Sequence, residues 1–145
     1  MATLNNQNPA PIGYTTPPFP SLYYLSIQIN PTFSPDVAKY LYYSSDIWRF
    51  TLLWTLIVYG AFHLAAGAYA VAMLWKSWKF VWVVPIIYAF VAGIEALLAG
   101  SVVGLILGAV YNAGFFKMST WIPFIWSIIN VLVLLISSFS VQGGL

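Results

Sequence analysis

FTLLWTLIVYGAFHLAAGAYAVAMLW, residues 50–75, contains no Asp, Glu, Lys or Arg, and its only polar interruptions are Thr51, Thr55 and His63. As a helix at ~1.5 Å per residue the run is roughly 39 Å long, ample for a hydrocarbon core of about 30 Å. Trp48 and Arg49 precede it, and Trp75, Lys76, Trp78 and Lys79 follow, so amphipathic and cationic anchors stand at both headgroup levels. Ser45 and Asp46 offer a helix cap before it.

Two further runs share this character. Residues 81–111 exceed a perpendicular crossing, which predicts a tilt, a kink near Pro85 or an extension beyond the bilayer; Asn112, Ala113 and Gly114 end the helix and Lys117 lies just outside. A third span is expected over about residues 121–139, opened by Trp121 and Pro123. The fold class is therefore an all-α membrane protein with three transmembrane helices and an N-terminal extramembrane or interfacial segment.

That segment, residues 1–46, differs from the transmembrane domain, residues 47–145. Seven of the nine prolines fall in it, and its beginning is expected to be extended or disordered. Leu22, Tyr23, Tyr24, Leu25, Ile27 and Ile29 are too apolar to stay free in water and too few to cross a bilayer, which places them at the interface or against a partner. Ser34, Pro35 and Asp36 read as the start of a short helix with Val37, Tyr40 and Leu41 on its apolar face, lying along the headgroups. No basic region and cleavage site precede an apolar core in the first 30 residues, so the first span is expected to act as the insertion signal.

Composition agrees. Of 145 residues 61% are hydrophobic and 6% charged, and the mean hydropathy is +0.86; so few charges cannot cover a soluble domain of this size. The net charge of +2 is too small and scattered for nucleic-acid binding. Without cysteine, and with one His and three acids in the whole chain, thiolate metal sites, nucleophile triads and carboxylate pairs lack material, and no cofactor is called for. The expectation is a protein that is not an enzyme.

Two ionisable residues lie deep in the apolar runs, His63 in the first and Glu95 in the second. Counted from the starts of antiparallel spans they reach similar depth near the midplane. They can be structural groups bonded to their own helices, a helix-to-helix pair, or a site for proton transfer or substrate coordination. Gly60 and Gly67 share the His63 face of the first span, and Ala92, Ala96, Gly100, Gly104 and Gly108 recur every four residues in the second. Such a small-residue ridge lets membrane helices approach closely. Lys76 and Lys79 nearly balance Lys39, Arg49 and Lys117, so charge leaves orientation open.

Ile47-Trp48, Leu53 to Leu56, Phe62 to Gly67 and Leu74 with the basic loop, together with Ala99-Gly100 and Gly108 to Gly114, resemble the transmembrane protein 170 family over roughly residues 47–145. The resemblance implies a three-span protein of the endoplasmic reticulum and nuclear envelope that shapes those membranes. It also implies association with large bridge-like lipid-transfer proteins, and it favours a luminal N-terminus. His63 falls on the family's Phe-His position; Glu95 lies outside the pattern and inherits no role. The Asn30-Pro31-Thr32 triplet is blocked as a glycosylation acceptor by its proline. The expected function is a small non-enzymatic subunit that contacts membrane lipids and packs against a larger membrane or lipid-transfer protein; the alternative is a proton- or ion-coupled transport component using His63 and Glu95.

Overall fold

The computed structural model describes residues 10–11, 13–22, 39–76 and 81–142, the last three by backbone alone. Strand β1 (Tyr40–Leu41) leads into helix α1 (Ser44–Met73); helix α2 (Val83–Ala113), strand β2 (Met118–Ser119) and helix α3 (Trp121–Gln142) follow. All three helices are long and apolar enough to cross a membrane, and most of their surface faces outward. Large side chains such as Ile86, Phe90, Leu98 and Ile136 are exposed along them, which only lipid accommodates. The chain is a three-helix multi-pass membrane protein.

Helix boundaries follow backbone chemistry. α1 starts at Ser44, ahead of the apolar run, because the Tyr43 carbonyl accepts from the N–H groups of Asp46 and Ile47 at 3.0 and 3.1 Å. Asp46 also places a negative charge in the first turn. Pro85 and Pro123 each occupy the third position of their helix, where a missing N–H breaks no helical bond. Gly114 closes α2 with a right-handed φ of −86°. The left-handed residue after it is Phe115, at φ 54°. A Cβ at 114 would meet the exposed Phe116 ring, which would have to turn aside.

α1 is the central helix. Along its contact with α2, Gly108 faces Ser44, Gly104 faces Trp48, and Gly100 faces Leu52 and Thr55, so each step of four along α2 meets a step of four back along α1. A Cβ at Gly100 or Gly104 would come within 3.1 Å of backbone on α1. Thr51 and Thr55, fully buried here, donate to the carbonyls of Ile47 and Thr51 at 2.8 and 2.7 Å, which satisfies their hydroxyls inside the helix. α3 packs on another part of α1 through Val131 and through the Tyr59 hydroxyl, which donates to the Asn130 carbonyl at 3.2 Å. α2 and α3 touch each other far less than either touches α1.

One end of the bundle carries a cap. β1 pairs antiparallel with β2, Leu41 against Met118, and both side chains are buried with Ile47, Phe50 and Leu107. Residues 13–22 strap across this end. Thr16 Oγ1 donates to Asp46 Oδ2 at 2.6 Å, Tyr14 donates to the Tyr40 carbonyl at 3.0 Å, and Thr120 Oγ1 donates to the Ser21 carbonyl at 2.8 Å. Phe19 stacks edge-on against Phe50 and lies 5.1 Å from Trp54, which in turn meets Phe124 at 4.7 Å.

Three sequence expectations change here. Residues 13–22 are ordered on the bundle, because their aromatic and hydroxyl groups find partners that the local sequence does not contain. Tyr40 and Leu41 lie in β1 and not on a helix face, since the ladder to β2 satisfies their backbone groups. The remainder of that short helix, and all but Leu22 of the apolar stretch from Leu22 to Ile29, lie outside the described residues. The first span runs 44–73 where 50–75 was expected, because the helix continues past the hydrocarbon boundary that Asp46 and Arg49 mark.

Candidate functional site

Halfway along the bundle, α1 and α2 bring His63 and Glu95 together. His63 Nε2 lies 3.1 Å from Glu95 Oε2, and His63 Nδ1 lies 3.0 Å from the Tyr59 carbonyl one turn back. A carbonyl only accepts, so Nδ1 carries a hydrogen. Glu95 Oε2 is sealed from solvent and makes no aligned hydrogen bond with any described residue, so the 3.1 Å approach of His63 Nε2 is an ion-pair contact. Two lone pairs face each other across 3.1 Å unless a proton stands between them. A single proton between the two would make the pair either imidazolium with carboxylate or imidazole with carboxylic acid. Both forms carry zero net charge, which is what a low-dielectric setting demands.

Depth supports that reading. His63 is ten residues from the end of α1 and Glu95 twelve from the start of α2, or roughly 15–18 Å from the end of the bundle flanked by Trp75 and Trp82. About half a hydrocarbon core separates the pair from that headgroup layer. The other ends of α1 and α2 extend farther, carrying Asp46, Arg49 and the cap out of the hydrocarbon.

The pair lines a cleft of about 270 Å³ between α2 and α3, which touch each other little. Phe62 and Ala66 of α1, Tyr88 of α2, and Val131, Leu134, Leu135 and Ser138 of α3 line it. Toward the cap it is closed by Tyr59, Ala96 and Val131, none more than 4% exposed. His63 is also ringed by aromatics, with Tyr59 at 6.1 Å and Tyr88 at 6.5 Å.

The other residues singled out by sequence are distributed as follows. Ala92, Ala96, Gly100, Gly104 and Gly108 are all buried. Gly67 meets Tyr88 and Pro85, whereas Gly60 has nothing within 4 Å of where a Cβ would stand. Trp48 packs under Gly104, and its buried indole N–H has no hydrogen-bond partner among the described residues; the ring serves the helix contact. Arg49 is exposed beside the strap, Trp75 and Lys76 are exposed at the far end, and Lys117 sits 4.4 Å from the Tyr40 ring centre in a cation–π contact. Trp121 packs edge-on against Phe124. Trp78 and Lys79 lie outside the described residues. Tyr59, Tyr88 and Ser138 were not singled out. Tyr59 stands one helical turn before His63 and was accessible to that argument, while Tyr88 and Ser138 join the site only through the crossing of three helices.

Fold and site together define a small α-helical multi-pass membrane protein that brings His63 and Glu95 into contact between its first two spans. The chain belongs to the Transmembrane protein 170A/B-like family, whose profile matches residues 40–145. It is also 40% identical over 144 residues, 99% of each chain, to the protein described as "Uncharacterized protein YPR153W" from Saccharomyces cerevisiae (strain ATCC 204508 / S288c). That similarity takes in the strap, which lies outside the family match. No solved structure matches the chain.

Proposed function

We propose that this protein is a non-enzymatic subunit of the endoplasmic reticulum and nuclear envelope membrane that docks a larger partner and helps organise that membrane or supply lipid to a bridge-like transfer protein. The observation that carries the reading is the stitched cap: the ordered residues outside the helices form a fixed platform at one end of the bundle, with Arg49 exposed at its edge. Family membership supports the location, and with it the reading that the N-terminus and cap are luminal.

Purification in mild detergent, with identification of what co-migrates, tests the proposal. A larger membrane protein is expected to co-purify with the wild type and to be released by Phe19→Ala, which removes the ring between Phe50 and Trp54; a monomer with no partner would sink the idea. Orientation has its own test. Pro31→Ala unblocks the Asn30 acceptor fourteen residues before α1, and a glycosidase-sensitive mass shift is expected if the N-terminus is luminal.

A second reading, proton- or ion-coupled transport, draws on the 3.1 Å contact between His63 and Glu95. The closure at Tyr59, Ala96 and Val131 weighs against it, since a conducted ion needs a path to both faces.

A further inference from the structure

The cleft between α2 and α3 presents a specific set of unmet hydrogen-bonding groups. Glu95 is 37% exposed although its Oε2 is sealed against His63, so the open remainder of the carboxyl group faces the cleft. Tyr88 and Ser138 also line the cleft, and neither hydroxyl has a hydrogen bond to another described residue. One acceptor and two donors thus stand in an otherwise apolar gap that opens sideways to lipid. Among the described residues, no Lys or Arg lines it.

From this arrangement we infer that the cleft is a binding site for diacylglycerol, the uncharged two-chain lipid with one free hydroxyl and two ester carbonyls. The hydroxyl donates to the open oxygen of Glu95, and the carbonyls accept from Tyr88 and Ser138 while the acyl chains stay among the surrounding lipids. A phosphate-headed lipid is disfavoured because it would bring an anion beside the Glu95 carboxyl group, whose neighbour His63 is already matched to it. A sterol offers the hydroxyl but no carbonyl for the two donors. An uncharged head, unlike a charged one, is not held at the headgroup layer and can reach roughly 15 Å into the bilayer. The inference concerns the α2–α3 side and needs no partner at the cap.

The test uses the purified full chain alone in phosphatidylcholine vesicles, with a photoreactive group close to the glycerol of a diacylglycerol probe and the same group on phosphatidylcholine and phosphatidic acid. Diacylglycerol is expected to label cleft-lining residues of α2 and α3 in excess of the other two, with competition by unlabelled diacylglycerol and not by cholesterol. Glu95→Leu should lower that labelling about five- to tenfold, the loss expected for one well-formed hydrogen bond. Ser138→Val should lower it about two- to fivefold on the same reasoning for a neutral bond. Glu95→Gln should keep it, because the amide N–H takes the place of the shared proton and the amide oxygen still accepts. Equal labelling by the three probes, equal competition by cholesterol, or full labelling of Ser138→Val would overturn the proposal. Ser138 is exposed on α3, so that variant decides the matter even if Glu95→Leu fails to fold. Since no partner is present, failure here leaves the docking reading standing, and loss of the docking reading leaves this one standing.

Discussion

A hydrogen on His63 Nδ1, pointed at the Tyr59 carbonyl, fixes the ring so that Nε2 faces Glu95. The chemistry of the pair follows from that one bond. Removing the imidazole leaves the carboxyl group to protonate in place, and removing the carboxyl group leaves a neutral imidazole with an unpaired nitrogen. His63→Ala and Glu95→Ala are therefore expected to cost about 1–2 kcal/mol each in a detergent unfolding titration. The double variant should lose less than their sum by about 0.5–1.5 kcal/mol, since both singles break the same contact. Strict additivity would rule the pairing out. Glu95→Gln is expected to unfold within about 0.5 kcal/mol of the wild type, because the pair needs a donor on that side and not a charge.

Glycines of identical chemistry differ by where the helices put them. Gly104→Val places a branched side chain where a single Cβ already meets Trp48 backbone at 3.1 Å, and is expected to destabilise the bundle by about 3 kcal/mol or more through forced separation of α1 and α2. Gly93→Ala, with nothing within 4 Å, should instead raise stability by up to about 1 kcal/mol through helix propensity. Comparing the two midpoints under one detergent separates packing from propensity. The strap responds to alkali. Burial and the nearby Asp46 carboxylate push the Tyr14 phenol above its ordinary value, so the folded cap holds that proton more tightly than the unfolded chain. Its stabilising effect is complete below about pH 10 and falls away as pH rises toward the raised value. Limited proteolysis of the strap should accelerate above about pH 10 in the wild type, and Tyr14→Phe should remove most of that dependence. An equal alkaline rise in Tyr14→Phe would assign the effect to another group.

For the molecule as a whole, three crossings put the two ends of the chain on opposite sides of the membrane. Because the chain has no cysteine, Asn5→Cys and Gly144→Cys can each be probed with an impermeant maleimide in sealed microsomes. One is expected to react before permeabilisation and the other only after it; simultaneous reaction of both would refute the three-span fold.

Three helices, their order and their membrane setting were written in the runs at 50–75, 81–111 and 121–139, because uncharged stretches of that length have one low-energy solution in lipid, the self-bonded helix. The spacing of Ala92 through Gly108 likewise marked a ridge, since a period of four on one helix is a local property. Which helix meets that ridge is not local: α1 was chosen by the match of Ser44, Trp48 and Leu52 to its holes. The docking of residues 13–22, the pairing of Leu41 with Met118, and the meeting of Tyr88 and Ser138 beside His63 and Glu95 depend on contacts between segments far apart in the chain. Such contacts are set by the shapes of packed surfaces, which no residue carries alone, so only the tertiary structure decided them.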